Sequence, residues 1–454
     1  MLNKNQLITV ECTGLGVDFE GICRHEGQVV FVRGLLPMET AAVKIIKVAK
    51  SYAVGRLEQR LTASQERAEP PCPYFTRCGG CTGQHLAYEA TLRHKRRQVL
   101  DCLQRIGGFA DARVLAPLGM ANPWRYRNKA AFPVGGEAGA PHIGCFASRS
   151  HEIIDAPEGC LLQTEQSDAL VRAVRWWMAR SAVPPYDEAA HSGLVRHVMT
   201  REAKDGGLML VLVLNGARAP HGGELIAIAR EACPSLQSII IAENTGRTNV
   251  ILGERFHTLW GKDTLEDEIA GFTMRVSPRS FFQVNREQAE RLYDAAIRFC
   301  GLTGRERVWD LYCGCGSITL PLAKRAGHVT GVEIVEDAIR DARANADQNG
   351  IKNADFVSGA TEAVLPGLAS RQGRPDAVVL DPPRKGCEPS ALLTLADVAP
   401  DKIVYVSCNP ATLARDARIL ADKGYRLGDV RPVDMFGWTG HVECVAEMTR
   451  DGEH

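Results

Sequence analysis

No charge of either sign dominates this chain of 454 residues: 54 Lys and Arg stand against 54 Asp and Glu. That balance excludes a uniformly basic nucleic-acid coat and leaves room only for local patches. Long apolar runs are missing too. No stretch of 18 or more apolar residues occurs, so no membrane-spanning helix is expected. The first residues, Met1-Leu2-Asn3-Lys4-Asn5-Gln6, lack the apolar core of an export signal. Fifteen cysteines without such a signal argue against a disulfide framework. They point to thiols that are free, metal-bound or catalytic in a reducing, cytoplasmic setting. What remains is ordinary soluble material, 45% hydrophobic and 24% charged, and the length predicts two to four domains.

Residues 6 to about 62 read as all-β. Leu7-Ile8-Thr9-Val10, Gly27 to Val32, Ala41 to Ile46 and Tyr52 to Leu57 are β-rich runs separated by Gly14, Gly16, Gly34 and Pro37. Short strands at this spacing predict a small OB-like barrel over 1–62. Lys44, Lys47 and Lys50 would make part of its outside basic.

Cys72, Cys78 and Cys81 follow in a Gly- and Pro-rich loop, as C-x5-C-x2-C. Close thiolates on irregular backbone suit a soft metal or a cluster. A second C-x2-C pair of the kind zinc sites use is absent, which favours a cluster with a distant fourth cysteine. Cys102, Cys145, Cys160 and Cys233 are candidates, and spacing does not choose among them; Cys160 lies in a Pro- and Gly-punctuated loop. From Leu86 to Lys129 nine Lys/Arg face three acids, a possible phosphate footprint. Within it Trp124-Arg125-Tyr126-Arg127-Asn128-Lys129 interleaves aromatics with cations, as single-strand RNA contacts do. The span 63–270 otherwise reads as α+β, with strands at 208–214 and 238–241 and a helix from Glu165 to Arg180 whose Trp176-Trp177 is expected in the core.

From about 271 a third unit begins. Val308 to Tyr312, the turn Cys313-Gly314-Cys315-Gly316-Ser317, a helix from Ile318, the strand His328 to Glu333 and a helix to Gln348 make a β-α-β pattern. With strands at 376–381 and 402–406 it predicts a doubly wound parallel sheet, a Rossmann-like α/β domain over 271–454. The turn lacks the third glycine of a dinucleotide fingerprint, Thr319 standing there. Glu333, 17 residues after Gly316, ends the second strand where an acid can hold ribose hydroxyls. Together these favour S-adenosylmethionine (SAM) over NAD. Asp381-Pro382-Pro383-Arg384 ends a later strand, its prolines stiffening the loop; Asp381 is also a plausible helix cap. Ser277 to Asn285 precedes a helix; its aromatics plus an amide suit a flat base and a cofactor carboxylate, and equally a packed helix entry, and the sequence does not choose between them. Cys408 sits where the strand ending at Val406 meets its loop, the edge where open α/β sheets bind ligands, although a free cysteine more often merely packs.

Five ordered motifs, Phe281-Phe282-Gln283-Val284-Asn285, Asp310-Leu311-Tyr312-Cys313-Gly314, Asp381-Pro382-Pro383-Arg384, Ser407-Cys408-Asn409-Pro410 and His441-Val442-Glu443-Cys444, resemble the RNA uracil-5 methyltransferase family. The first residues, with Gly21, Val30-Phe31-Val32 and Leu36-Pro37, resemble a TRAM domain, an RNA-binding barrel. With the cysteine loop, the resemblance is to the branch acting on 23S ribosomal RNA. It implies a TRAM barrel, a central domain carrying an iron–sulfur loop and a class I SAM methyltransferase domain. It further implies SAM contacts at Gln283, Tyr312, Glu333 and Asp381 and a [4Fe-4S] cluster on Cys72, Cys78, Cys81 and Cys160. Cys408 is the implied nucleophile, Glu443 the implied general base, and Phe281 packs on base or cofactor. Ser317 stands where some relatives have Asn, a departure at a SAM-contacting position. The expected product is 5-methyluridine and the expected state a monomer with no membrane association. A tRNA substrate, or a NAD-dependent enzyme with a zinc loop, are the competing readings.

Overall fold

The computed structural model describes residues 2–450. Its N-terminal part is a closed five-stranded barrel, Leu7–Leu15, Gly21–His25, Gln28–Val32, Thr40–Val48 and Tyr52–Arg60. The strand Gly21–His25 is one more than the β-rich runs show, because Gly21 begins a strand instead of closing a turn. Alternate residues such as Ile8, Val10 and Cys12 point inward, while Lys47 and Lys50 stay outside, as period-two patterning requires.

A seven-stranded sheet forms the middle of the molecule, in the spatial order Arg255–Gly261, Leu236–Glu243, Leu208–Leu214, Val195–Glu202, Lys129–Glu137, Ala140–Phe146 and Ile153–Asp155. Leu208–Leu214 is buried throughout, which explains its unbroken apolar run. The helix Glu165–Arg180 packs on this sheet through Trp177; Trp176 is half exposed, its ring under the Arg180 guanidinium at 5.1 Å. Only one of the two tryptophans therefore joins the core.

The third sheet has eight strands in the order Ala354–Ser358, His328–Glu333, Arg307–Leu311, Ala377–Leu380, Lys402–Ser407, Glu443–Arg450, Tyr425–Val433 and Arg113–Val114. The first five run parallel. Their side chains alternate between two cores: Val308, Val379, Val404 and Val406 face one side, Trp309, Leu311, Leu380 and Tyr405 the other. Successive strands move outward from Arg307–Leu311 to Ala354–Ser358; the chain then returns to lay Ala377–Leu380 on the opposite side. The gap between Arg307–Leu311 and Ala377–Leu380 is thus a topological switch point, where such sheets bind ligands beyond their carboxyl ends. The helix Tyr88–Arg105 and the edge strand Arg113–Val114 are built into this sheet from far upstream, Val99 and Leu103 packing with Leu413 and Ala417.

The basic run divides between the interior and the surface. Lys95 is buried against Asp434, and Arg125 pairs with Asp168. Arg93, Arg96, Arg97, Arg105 and Arg113 stay exposed, Arg93, Arg97 and Arg113 beside Glu66, Asp101 and Asp429. Trp124 stacks on Trp438 at 4.5 Å, and the Tyr126 hydroxyl donates to Gly437 O, so these two aromatics and Lys95 hold the molecule together.

Candidate active site

Cys408 follows directly on the strand Lys402–Ser407 and precedes the helix Pro410–Ala421. Its loop is pinned locally. Asn409 caps the helix through Ala411 N–H at 3.1 Å and its own N–H donates to Ser407 Oγ at 3.1 Å. Pro at the first helical turn costs no hydrogen bond. The antiparallel partner strand begins at Glu443, and Ser407 pairs with Cys444. One step further along this register places Glu443 opposite Cys408. Two residues 35 apart in sequence thus share one sheet edge.

Asp381 follows the neighbouring strand Ala377–Leu380, its N–H donating to Leu311 O at 3.2 Å. No helix begins there, since the next starts at Pro389, so the capping role does not apply. Asp381 is partly exposed as a residue, but protein crowds its carboxyl and burial pushes it up to about 7. Glu443 is pushed up to about 8, by burial first and by the Asp381 charge second, with Arg384 opposing. The Cys408 thiol is raised by burial, Glu443 and Asp381 and lowered by Arg384. Two carboxyls and a thiol therefore hold protons near neutrality. Such raised acids in a cleft are a functional signature. Arg384 was visible in its motif but carried no role there; its positive charge, felt by both Cys408 and Glu443, gives it one.

The cofactor side is built from the Cys313–Ser317 turn and the Ser277–Asn285 loop. Gly314 and Gly316 both have positive φ, 54° and 86°, so the turn bends sharply at the sheet edge. Glu333 Oε2 accepts Gly314 N–H at 3.2 Å and Oε1 accepts Val335 N–H at 2.9 Å. Asp310, behind the turn, is buried and pushed up to about 7, its carboxylate accepting from Thr319 Oγ1 at 2.5 Å. The facing loop touches this turn: Cys315 Sγ lies 3.9 Å from Phe281 O, and the Tyr293 hydroxyl donates to Ser317 Oγ at 3.1 Å. Gln283 is buried beside it, while Phe281 stands 78% exposed, free to meet a ligand. Tyr312, in the left-handed region at φ 66°, turns its hydroxyl toward Cys387 and Thr361 and away from the turn. Asn285 is a helix cap: its Oδ1 accepts Gln288 N–H at 3.2 Å and its Nδ2 donates to Met435 O at 3.2 Å. It is not available to a cofactor carboxylate. Glycine curvature, an acid at the end of the second strand and a polar rim fit an adenosine ligand without a pyrophosphate.

The cysteine loop lies apart from this edge. Cys81 and Cys160 share an apolar cluster with Leu162 and Trp438. Gly80 N–H donates to Cys78 Sγ at 3.3 Å, and Arg125 holds the Cys160 carbonyl at 3.0 Å. The end of the strand Ala140–Phe146 runs beside the loop, Gly79 N–H donating to Phe146 O at 2.9 Å. Cys145 thereby reaches Cys78; their thiol contact is the main cause that pulls Cys78 down to about 6, and burial pushes Cys81 up to about 12. Burial likewise raises Cys72 and Cys160. Of the four fourth-ligand candidates, Cys145 and Cys160 come to the loop, whereas Cys233 contacts Gln166 O and Cys102 lies in the helix Tyr88–Arg105. Among the described residues, no three His, Cys, Asp or Glu are arranged to hold a single metal ion. The metal expected on Cys72, Cys78, Cys81 and Cys160 thus has no preformed single-ion site.

The family model for tRNA (uracil-5-)-methyltransferases matches residues 255–451, and the TRAM domain model matches residues 2–57. An uncharacterized RNA methyltransferase of Halalkalibacterium halodurans is 46% identical over 98% of both chains. One of Clostridium tetani is 46% identical over 100% of this chain and 98% of its own. Among solved structures, the Pyrococcus abyssi tRNA (uracil-54, C5)-methyltransferase in complex with S-adenosyl-L-homocysteine superposes with a TM-score of 0.78 at 27% identity. That match covers 97% of this chain and all of the other. With these relatives along its whole length and a SAM-type sheet edge of its own, the chain belongs to the RNA uracil-5 methyltransferase family, as a SAM-dependent RNA methyltransferase with an N-terminal TRAM domain.

Proposed function

We propose that this protein methylates C5 of one uridine in 23S ribosomal RNA through a covalent adduct between Cys408 and C6. The observation that carries the mechanism is the Ser407–Cys444 register, one step past which Cys408 and Glu443 stand at one sheet edge, with Glu443 and Asp381 both acting on the Cys408 thiol. C5 of uracil is a poor nucleophile. The Cys408 thiolate adds to C6, and the electron pair of the C5–C6 double bond moves onto the O4 enolate. SAM, bound at the glycine turn, would supply the methyl group that C5 takes and would leave as the neutral thioether. Glu443 removes the C5 proton, the pair reforms the double bond, and the Cys408–C6 bond breaks to return the thiolate. Arg384 favours the thiolate at the start and the end. Gln283, Tyr312, Glu333 and Asp381 bind and orient SAM, Glu333 at its ribose. The uridine must leave its stack to reach this edge, and Phe281 is exposed at the rim to receive it.

The ribosomal assignment is supported by the cysteine loop. Cys72, Cys78, Cys81 and Cys160 lie on two neighbouring loops and would be the ligands of a [4Fe-4S] cluster. Bound there, it would cross-link the two loops. A second reading, a tRNA substrate, is favoured by the Pyrococcus relative, which is a tRNA enzyme. The site is expected to work in the cytoplasm, as a monomer. Mass mapping of 23S RNA and tRNA from a deletion strain decides the substrate: loss of a 5-methyluridine from 23S RNA is expected, and loss from tRNA alone overturns the ribosomal assignment. Cys408→Ala should abolish both methylation and the RNA adduct; full activity of that variant would remove Cys408 from the mechanism.

A further inference from the structure

The nine residues before Glu443 connect the strand Tyr425–Val433 to the strand Glu443–Arg450. This connection is held from every accessory part of the molecule. Asp434 is buried against Lys95 and accepts the Tyr88 hydroxyl at 2.6 Å. Met435 O accepts from Asn285, Phe436 O from Lys95 at 3.0 Å, and Gly437 O from Tyr126 at 3.2 Å. Trp438 O accepts two N–H groups of the cysteine loop, Thr82 at 2.8 Å and Gly83 at 2.9 Å. A Cβ on Gly440 would stand 1.6 Å from the Val17 carbonyl of the barrel, so glycine alone lets the barrel close on the segment.

Trp438 is the centre of this arrangement. It is buried, stacked on Trp124 with an interplanar angle of 25°, tilted against Tyr88 at 5.5 Å, and its Nε1 donates to Pro123 O at 3.0 Å. Its φ of 63° is one that bulky side chains avoid. A residue persists in such a conformation when its surroundings over-determine it. If the backbone alone mattered, glycine would serve better there.

We propose that Trp438 is a positioning residue through which the cysteine loop and the helix Tyr88–Arg105 hold Glu443, five residues downstream, in place for proton removal. The proposal rests on the reading of Glu443 as the base. It holds whether or not the cysteines carry a cluster.

The test compares Trp438→Gly and Trp438→Phe in the full-length protein with its RNA. Trp438→Gly relieves the backbone but removes the stack. It should form the Cys408 adduct at close to the normal rate and release it at least tenfold more slowly, lowering kcat with little change in KM. Hydrogen–deuterium exchange over residues 434–443 should rise in the same variant. Trp438→Phe, which keeps a ring on Trp124, should recover most of the release rate. Should Trp438→Gly fail to fold, Trp124→Ala removes the stack from the other side and carries the same expectation. Release at the wild-type rate, or adduct formation and release slowed alike, overturns the positioning role. Failure of the underlying reading looks different: Glu443→Gln would then release its adduct normally, whatever Trp438 does.

Discussion

At the scale of single residues, the site is a problem of proton inventory. On the proposed mechanism Glu443 accepts a proton, yet burial and Asp381 raise it to about 8. The free enzyme at neutral pH therefore holds much of its base in the inactive, protonated form. The kcat/KM should rise with pH through 8 and go on rising above it, since the Cys408 thiol is raised as well. Asp381→Asn removes the neighbouring negative charge, so Glu443 should titrate lower and the ascending limb should move to lower pH; a limb that stays in place or moves up would contradict the coupling. Glu443→Gln should allow the adduct to form and block its release, visible as RNA-linked protein on a denaturing gel, and rapid turnover would contradict the base role. Cys408 and Glu443 were both legible in the sequence as members of short motifs. Their nearness was not, because it arises from an antiparallel register closed by 34 intervening residues.

At the scale of elements, the helix Tyr88–Arg105 shows what composition leaves open. Its cations read as an RNA footprint, and a helix buried on one face sorts them: Arg93, Arg96, Arg97 and Arg105 stay exposed. Lys95 lies on the inner face and meets Asp434; burial pulls the Lys95 ammonium down while Asp434 holds it up. Breaking such a buried pair by removing one partner costs about 3–5 kcal/mol, since the other charge stays uncompensated. Lys95→Ala should therefore lower unfolding stability by about that amount in a denaturant titration. Arg97→Ala, on the exposed face beside Asp101, should change it by less than about 1 kcal/mol. Equal effects of the two would mean that the inner pair is not buried in solution. The barrel was legible from its short β runs and glycine turns, and the parallel sheet from its β-α-β rhythm. The edge strand Arg113–Val114 was not, because two residues carry no period and their partner lies more than 300 residues away.

At the scale of the whole molecule, Asp310, Asp381 and Glu443 act together on stability. Their folded-state values, about 7, 7 and 8, lie above their ordinary values of 3.8, 3.8 and 4.5. Between those limits the folded protein holds protons that the unfolded chain has released, so stability must fall as pH rises. The fall should run from about pH 4 to about pH 8 and be complete above it. Denaturant midpoints at pH 5.5, 7 and 8.5 should decrease in that order as far as these groups are concerned. SAM, whose sulfonium favours ionised carboxyls, should stabilise the protein more at pH 8.5 than at 5.5. At a hundredfold excess over its Kd a ligand adds about 2.7 kcal/mol, enough to read as a shift in Tm. A larger shift at the lower pH would place the sulfonium away from these acids.

The sequence by itself determined the barrel, the doubly wound sheet and the glycine turn, and it named the residues proposed for the chemistry. Each is written in a local pattern of apolar period, turn residue or short motif. Only the tertiary structure decided that Cys145 joins Cys160 at the cysteine loop, that Asn285 caps a helix, and that Lys95 and Trp124 face inward. It alone brought the barrel, the cysteine loop and the helix Tyr88–Arg105 onto the segment that carries Glu443. Those outcomes depend on contacts between residues tens to hundreds of positions apart, and local pattern holds no record of such separations.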